Sequence, residues 1–391
     1  MKRLAWIIAC AAFVGSAFAG NQFVELKSNA NAYSEPDRSS ELVEKLITGT
    51  EAKVVRLKLV SSTRENGYYN VELPGGDGKS GWVYKTYVRP LEGASSGSHS
   101  ESAGAASSTG PSAGNWGDCK TVFVGGKAPQ APESTTALCE EEGGVVFFAS
   151  GYSKKENHGK WSAYRFDDDI LQKMDELHLK RPKITFKQNA QLSGTSYVQP
   201  RHDSYTGTNL DRGHLAPNGA LTWDEDAQRR SFNIANIAPQ SPGLNRQMWM
   251  CFEYSIREWA ATSGNTHVVV GTMKGTDTIV GEKDPNQVAI NIPSHFLAMV
   301  YRQKPSPMAI GVLVPNEEGH KDIRKFMMPV ADLEKKSGYK FSLNSTIATR
   351  EVDFKKWPTR LVGSGTRNSS AELSEEEKNK MFEKVCPRAS T

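Results

Sequence analysis

Apolar positions change their rhythm three times along the chain. Residues 1–19 begin with Lys2 and Arg3, run through the unbroken apolar stretch Leu4–Val14 and end at Ala17-Phe18-Ala19. A charged start, an apolar middle and a small-residue site make a cleavable export leader, and the run is shorter than the ~20 apolar residues a spanning helix needs. Cleavage is expected after Ala19, leaving no integral membrane segment, so a secreted or periplasmic location is expected. From residue 20 to 91, short apolar runs such as Phe23-Val24, Leu42-Val43, Ala52–Val55, Tyr68–Val71 and Gly81–Tyr84 alternate with Gly, Asn, Ser and Pro. That spacing predicts a small all-β barrel. Residues 92–115 are nearly all Ser, Gly and Ala. Such a stretch buries too little surface to order itself and predicts a flexible linker, reaching roughly 25–30 Å on average.

The remainder, 116–391, mixes both periods. Strands are expected at Gly144–Ala149, Ser162–Phe166, His267–Gly271, Val288–Ile292, Leu297–Tyr301 and Ala309–Val314, and helices at Trp223–Asn233, Arg246–Thr262 and Leu373–Val385. Thr222 with Glu225 and Ser374 with Glu377 have the spacing of helix-capping pairs. Without a regular strand–helix–strand rhythm, the expectation is an α+β fold.

The 391 residues suit two domains, and 38% hydrophobic content excludes a disordered chain. A formal charge of +4 does not by itself announce a nucleic-acid binder; basic groups focused in one cleft can still bind phosphate in a nearly neutral protein. Beyond the leader's Cys10 lie Cys119, Cys139, Cys251 and Cys386. Four cysteines in an exported chain read as two disulfides with three possible connectivities. Cys119–Cys139 with Cys251–Cys386 is preferred, because the close pair would staple one local loop. No cysteine or histidine spacing indicates structural zinc.

Of the eight histidines, His214 stands apart by its surroundings, Asp211-Arg212-Gly213-His214. In an extended segment, residues two apart share a face, so Arg212 and His214 can address one phosphate as clamp and base. Asp211 faces the other way, which suits holding the loop. A second cluster runs from Asn236-Ile237-Ala238-Pro239-Gln240 to Asn245, Arg246, Trp249 and Glu253. Asn245, Trp249 and Glu253 recur every four residues, so a regular helix would put them on one face. Asn245 and Glu253 would then be separated by about 12 Å of rise, with one as direct ligand and the other holding a water of a hydrated ion.

Taken together, Asp-Arg-Gly-His, Asn-Ile-Ala-Pro-Gln and Leu-Asn…Trp…Glu resemble the DNA/RNA non-specific endonucleases of the ββα-metal superfamily, over about residues 140–350. The resemblance implies an α+β ββα-metal nuclease domain over 116–391 and DNA and RNA as substrates. It implies His214 as general base, Asn245 as direct ligand of Mg²⁺ (Mn²⁺ an acceptable substitute) and Glu253 as the residue positioning a water of that ion. Arg212, Arg181 and Arg246 are implied as phosphate contacts, and Asn236 with Asp211 as structural support. Products with 5′-phosphate and 3′-hydroxyl ends are implied. Because phosphate contacts carry no sequence code, cleavage is expected to be non-specific.

Residues 20–91 resemble a bacterial SH3-like domain through Ala32-Tyr33-Ser34-Glu35-Pro36, Gly49-Thr50, Gly67-Tyr68-Tyr69-Asn70-Val71 and Gly81-Trp82-Val83-Tyr84. That resemblance implies a cell-wall or protein ligand. The alternative reading is a cell-envelope binding protein whose nuclease-like domain is inactive; the intact set His214, Asn245, Glu253 and Arg212 argues against it.

Overall fold

The computed structural model describes residues 23–26, 30–36, 40–46, 55–60, 68–74, 78–84, 88–91, 116–142, 144–177, 179–192, 197–363 and 383–389. The leader, the linker and most of the helix expected at Leu373–Val385, with Ser374 and Glu377, lie outside them. Two compact units emerge, Met1–Ser102 and Ala103–Thr391.

Among the described residues, the first unit has seven short strands: β1 (Phe23–Leu26), β2 (Ala30–Tyr33), β3 (Leu42–Leu46), β4 (Arg56–Lys58), β5 (Tyr68–Glu72), β6 (Ser80–Tyr84) and β7 (Val88–Leu91). They form two sheets, ordered β4-β1-β7 and β3-β2-β6-β5. Val24, Ala32, Leu57, Val71 and Val83 make a shared apolar core.

The second unit is built on a seven-stranded antiparallel sheet. Its strands are β8 (Thr136–Glu142), β9 (Val145–Ser153), β10 (His158–Phe166), β13 (Thr266–Met273), β16 (His295–Arg302), β17 (Met308–Pro315) and β18 (Met327–Met328), in the order β18-β17-β16-β13-β10-β9-β8. Two short pairs accompany it: β11 (Asp211–His214) with β12 (Ile237–Gln240), and β14 (Thr278–Ile279) with β15 (Ile290–Asn291). Among the described residues, five α-helices complete the unit: α1 (Asp168–Leu177), α2 (Glu225–Ser231), α3 (Met250–Ser263), α4 (Val330–Ser337) and α5 (Ser345–Ala348).

Alternation along each strand explains why the sheet is covered on both faces. Val268, Val270, Ala298, Val300, Ile310 and Val312 enter one core with Trp249, Phe252, Ile256 and Trp259 of the α3 region. Val269, Leu297, Met299 and Ala309 enter the other with Val330 and Leu333 of α4. The core strands are apolar at nearly every position because neither face meets water.

Several boundaries differ from the sequence expectation. The cap of α2 is Asp224, whose carboxylate accepts from Asp226 N and Ala227 N, rather than Thr222. A carboxylate beside free N–H groups is a strong cap and also meets the positive helix end. The strand expected at Val288–Ile292 shrinks to Ile290–Asn291. The helix expected from Arg246 begins with a π-helical turn, Leu244–Trp249, before α3. Both cysteine pairs are bonded, Cys119 to Cys139 and Cys251 to Cys386.

Candidate active site

One cavity of about 830 Å³ is lined by β11, the π-turn, α3 and several flanking segments. Among its lining residues are Arg181, Arg212, His214, Asn245, Arg246, Glu253, Arg257 and Lys321. Lining residues from Arg181 to Val385 thus meet in one place. Five basic side chains against one carboxylate in the lining make the cavity a trap for anions.

The β11–β12 pair delivers His214. Their antiparallel register sets His214 opposite Ile237 and Asp211 opposite Gln240. Extended backbone sends both Arg212 and His214 to the cavity, as period two requires. Gly213 faces the other way, where an added Cβ would stand 2.3 Å from Gln240 Oε1 and 2.6 Å from its Cβ. Only glycine lets the two strands approach this closely.

Asn236 braces the turn that follows. Its Oδ1 accepts from Ala216 N and Ser162 Oγ, both at 2.8 Å. Its Nδ2 donates to Ala216 O at 2.9 Å and Ser231 O at 3.0 Å. Ser162 belongs to β10, so this buried amide ties the His214 segment to the central sheet.

His214 sits among aromatic rings, with Phe186 and Phe232 centroids 5.4 and 5.3 Å away. Its Nε2 is out of contact with solvent and accepts or donates no hydrogen bond. Burial, and then the charge of Arg181, lowers its pKa from 6.5 to about 3. The imidazole is therefore neutral at pH 7. Arg181 itself lies over the Phe232 ring at 4.8 Å.

Arg212 is oriented from behind. Its Nε and Nη2 donate to His202 O at 3.1 and 2.6 Å, and the guanidinium lies near the Tyr205 and Phe186 rings. With those donors engaged, Nη1 remains for a phosphate in the cavity.

Asp211 does more than hold a loop. Its Oδ2 accepts from Asn245 Nδ2 at 2.8 Å, and both its oxygens accept from Arg246, at 2.8 and 2.5 Å. A carboxylate only accepts, so it fixes which end of the Asn245 amide is nitrogen and leaves Oδ1 facing away. Arg246 is occupied by this bidentate pair, which raises its already high pKa. It lines the cavity as the partner of Asp211 more than as an open clamp.

The π-turn changes which residues share a face. An i→i+5 turn holds an extra residue, so the position four beyond Asn245 falls short of a full turn. Trp249 accordingly leaves the expected face and is buried, with Phe252 and Phe296 ring centroids 5.3 and 5.7 Å away. Asn245 and Glu253 both reach the cavity. Arg257, four residues past Glu253 on the solvent-facing stripe of α3, joins them and stacks over Tyr254 at 4.0 Å. Arg257 was not singled out in the sequence; its i+4 spacing from Glu253 is the signal that points to it. Lys321 arrives from the loop after β17 and carries no local motif.

The profile of the DNA/RNA non-specific endonuclease family matches residues 136–346. This chain belongs to the DNA/RNA non-specific endonuclease family. It is a nuclease, a hydrolase acting on nucleic acids, in a metal-dependent family. It is 25% identical over 205 residues to a nuclease of Nostoc sp., covering 50% of this chain and 71% of that one. Nuclease C1 of Cunninghamella echinulata is 25% identical over 222 residues, 54% of this chain and 84% of that one. Mitochondrial endonuclease G of Bos taurus is 27% identical over 161 residues, 38% and 53% of the two chains. A solved EndoG/EndoGI complex aligns with a TM-score of 0.45 at 19% identity, over 55% of this chain and 92% of that one.

The donor chemistry of this endonuclease's cavity fits a hard divalent cation. Asn245 Oδ1 is an amide oxygen turned outward by Asp211, and Glu253 adds a carboxylate to the same cavity. Oxygen donors with room for water are what Mg²⁺ accepts. Among the described residues, no group of three or more His, Cys, Asp and Glu could hold a metal.

Proposed function

We propose that the chain is an exported, Mg²⁺-dependent endonuclease that hydrolyses both DNA and RNA and leaves 5′-phosphate and 3′-hydroxyl ends. The observation that carries this reading is the convergence of a neutral His214 and an Asp211-oriented Asn245 on one cationic cavity. Asn245, with Glu253 nearby, would hold Mg²⁺, which when bound neutralises charge on the phosphate oxygens and acts as a Lewis acid.

The chain's own residues account for the rest. Arg181, Arg257 and Lys321 attract the phosphodiester, and Arg212, set by His202, supplies a fixed donor as negative charge builds on phosphorus oxygens. His214 takes a proton from the attacking water as the new P–O bond forms. The P–O3′ bond breaks, the pair of electrons leaves with the 3′ oxygen, and that oxygen takes up a proton from water. A base with a pKa of about 3 is weak on its own. The bound phosphate offsets the charge of Arg181 and brings the imidazole closer to its ordinary range. The cationic side chains of the cavity address phosphate, which carries no sequence code, and this supports cleavage at many sequences.

Export rests on Lys2-Arg3, the apolar run and Ala17-Phe18-Ala19, and is supported by the two disulfides. Residues 20–91 act, on the same reading, as an SH3-like domain for a cell-wall or protein ligand. The deciding experiment is digestion of DNA and RNA side by side by the mature chain, with Mg²⁺ or with EDTA. Cleavage of both with Mg²⁺ and of neither with EDTA supports the proposal; undiminished cleavage in EDTA contradicts it.

A further inference from the structure

The catalytic cavity has an apolar side, and half of it comes from outside the segment that matches the family. The match ends at residue 346, yet Val362 and Val385 line the cavity together with Met250 and Tyr254. These four gather around the Cys251–Cys386 disulfide into one cluster. The disulfide leaves α3 two residues before Glu253, so this cluster adjoins the groups assigned to phosphate and metal.

The two described stretches that carry Val362 and Val385 are firmly placed. Arg360 donates to both oxygens of Glu258 at 3.0 and 2.6 Å, pairs with Glu383 at 2.9 Å and donates to Cys386 O at 2.9 Å. Arg360 N donates to Ser255 Oγ at 2.8 Å, and Trp259 Nε1 donates to Pro358 O at 2.6 Å. Trp357 meets Trp259 at 4.9 Å between ring centroids. Val362 N donates to Lys321 O at 3.0 Å and Gly363 N to Val385 O at 2.8 Å. A Cβ on Gly363 would fall 2.0 Å from Lys384 O. Such a wall changes shape little when substrate arrives.

A phosphate needs none of this. An apolar surface in an otherwise cationic cavity matches a ligand that is anionic on one side and apolar on the other. A nucleotide has that chemistry, with a flat, weakly hydrated base beside its phosphate. We infer that the disulfide-centred cluster of Val362, Val385, Met250 and Tyr254 is a base-binding subsite beside the scissile phosphate. It rests on the nuclease reading above and adds a substrate preference to it. Within a duplex the bases stack on one another and cannot lie on this wall, so single strands with accessible bases are the favoured substrate. Contact through apolar faces is tolerant of sequence, because every base has such a face.

The test compares two single-stranded oligomers of equal length, oligo-dT and a fully abasic deoxyribose phosphate, with the mature chain and Mg²⁺. Oligo-dT should show a KM roughly tenfold lower, the size expected for one base contact. Val362→Ser should shrink that advantage to about twofold, while Val362→Ile keeps it. Val362 is only half-buried, and thermal melting verifies that each variant is folded. Equal KM values for the two oligomers in the wild-type chain would overturn the inference while leaving the nuclease mechanism intact. So would an unchanged advantage in folded Val362→Ser. Failure to cut either oligomer would instead overturn the nuclease mechanism, and this subsite with it.

Discussion

Asp211 Oδ2 lies 2.8 Å from Asn245 Nδ2, joining the strand that carries His214 to the helical turn assigned to the metal. One carboxylate thereby couples the position of the base to the orientation of the ligand amide. Asp211→Ala should release that amide and free Arg246. The expected result is a roughly 10–100-fold rise in the Mg²⁺ concentration needed for half-maximal activity, the usual consequence of losing an outer-shell partner. A Mg²⁺ titration of cleavage rate checks it.

The lowered pKa of His214 makes a prediction about acid. Its folded pKa is about 3, against 6.5 for the unperturbed group. The fold therefore resists protonating it. The stability associated with His214 is complete above pH 6.5 and is lost progressively as pH falls from 6.5 toward 3. Replacing His214 with Ala should lessen the decline of melting temperature across that window. The acid limb of kcat/KM should likewise lie well below 6.5. Arg181→Ala removes the second cause of the shift, so it should move that limb upward, which a pH–rate profile would reveal.

The disulfides differ in span, with 20 residues between Cys119 and Cys139 and 135 between Cys251 and Cys386. Loop-closure entropy then favours the longer bridge by about 2 kcal/mol. Cys251→Ser with Cys386→Ser should lower unfolding free energy more than the corresponding change at Cys119 and Cys139. Urea denaturation of the two double variants compares them directly.

Asn236 makes four side-chain hydrogen bonds while almost fully buried. Asn236→Ala leaves Ala216 N and O and Ser231 O without these partners. A loss of about 2–4 kcal/mol of stability is expected, from the cost of leaving buried polar groups unmade. Activity should fall with it, since the backbone after His214 is held by the same amide; melting and cleavage assays on one preparation measure both.

Much of this site was legible in the sequence because its chemistry is local. Period two places Arg212 and His214 on one face, and the strands of the central sheet announce themselves through β-branched runs such as Val268-Val269-Val270. What escaped depends on tertiary closeness or on irregular backbone. The π-turn at Leu244–Trp249 has no turn residue to betray it, so regular four-residue spacing points Trp249 to the catalytic face when it belongs to the core. Asp211 was understood only as a brace, because its partners lie 34 and 35 residues away. Arg257 has helical spacing from Glu253 but no motif of its own. Lys321 and Val362 reach the cavity only because the chain folds back on α3.

The central claim is that one neutral imidazole takes the proton of the attacking water. Its most direct test is the initial rate of Mg²⁺-dependent cleavage by folded His214→Ala beside the wild-type chain, on the same DNA and RNA. A rate lower by about 10²–10⁴-fold, with substrate binding retained, is predicted. A rate within a few fold of wild type would contradict it.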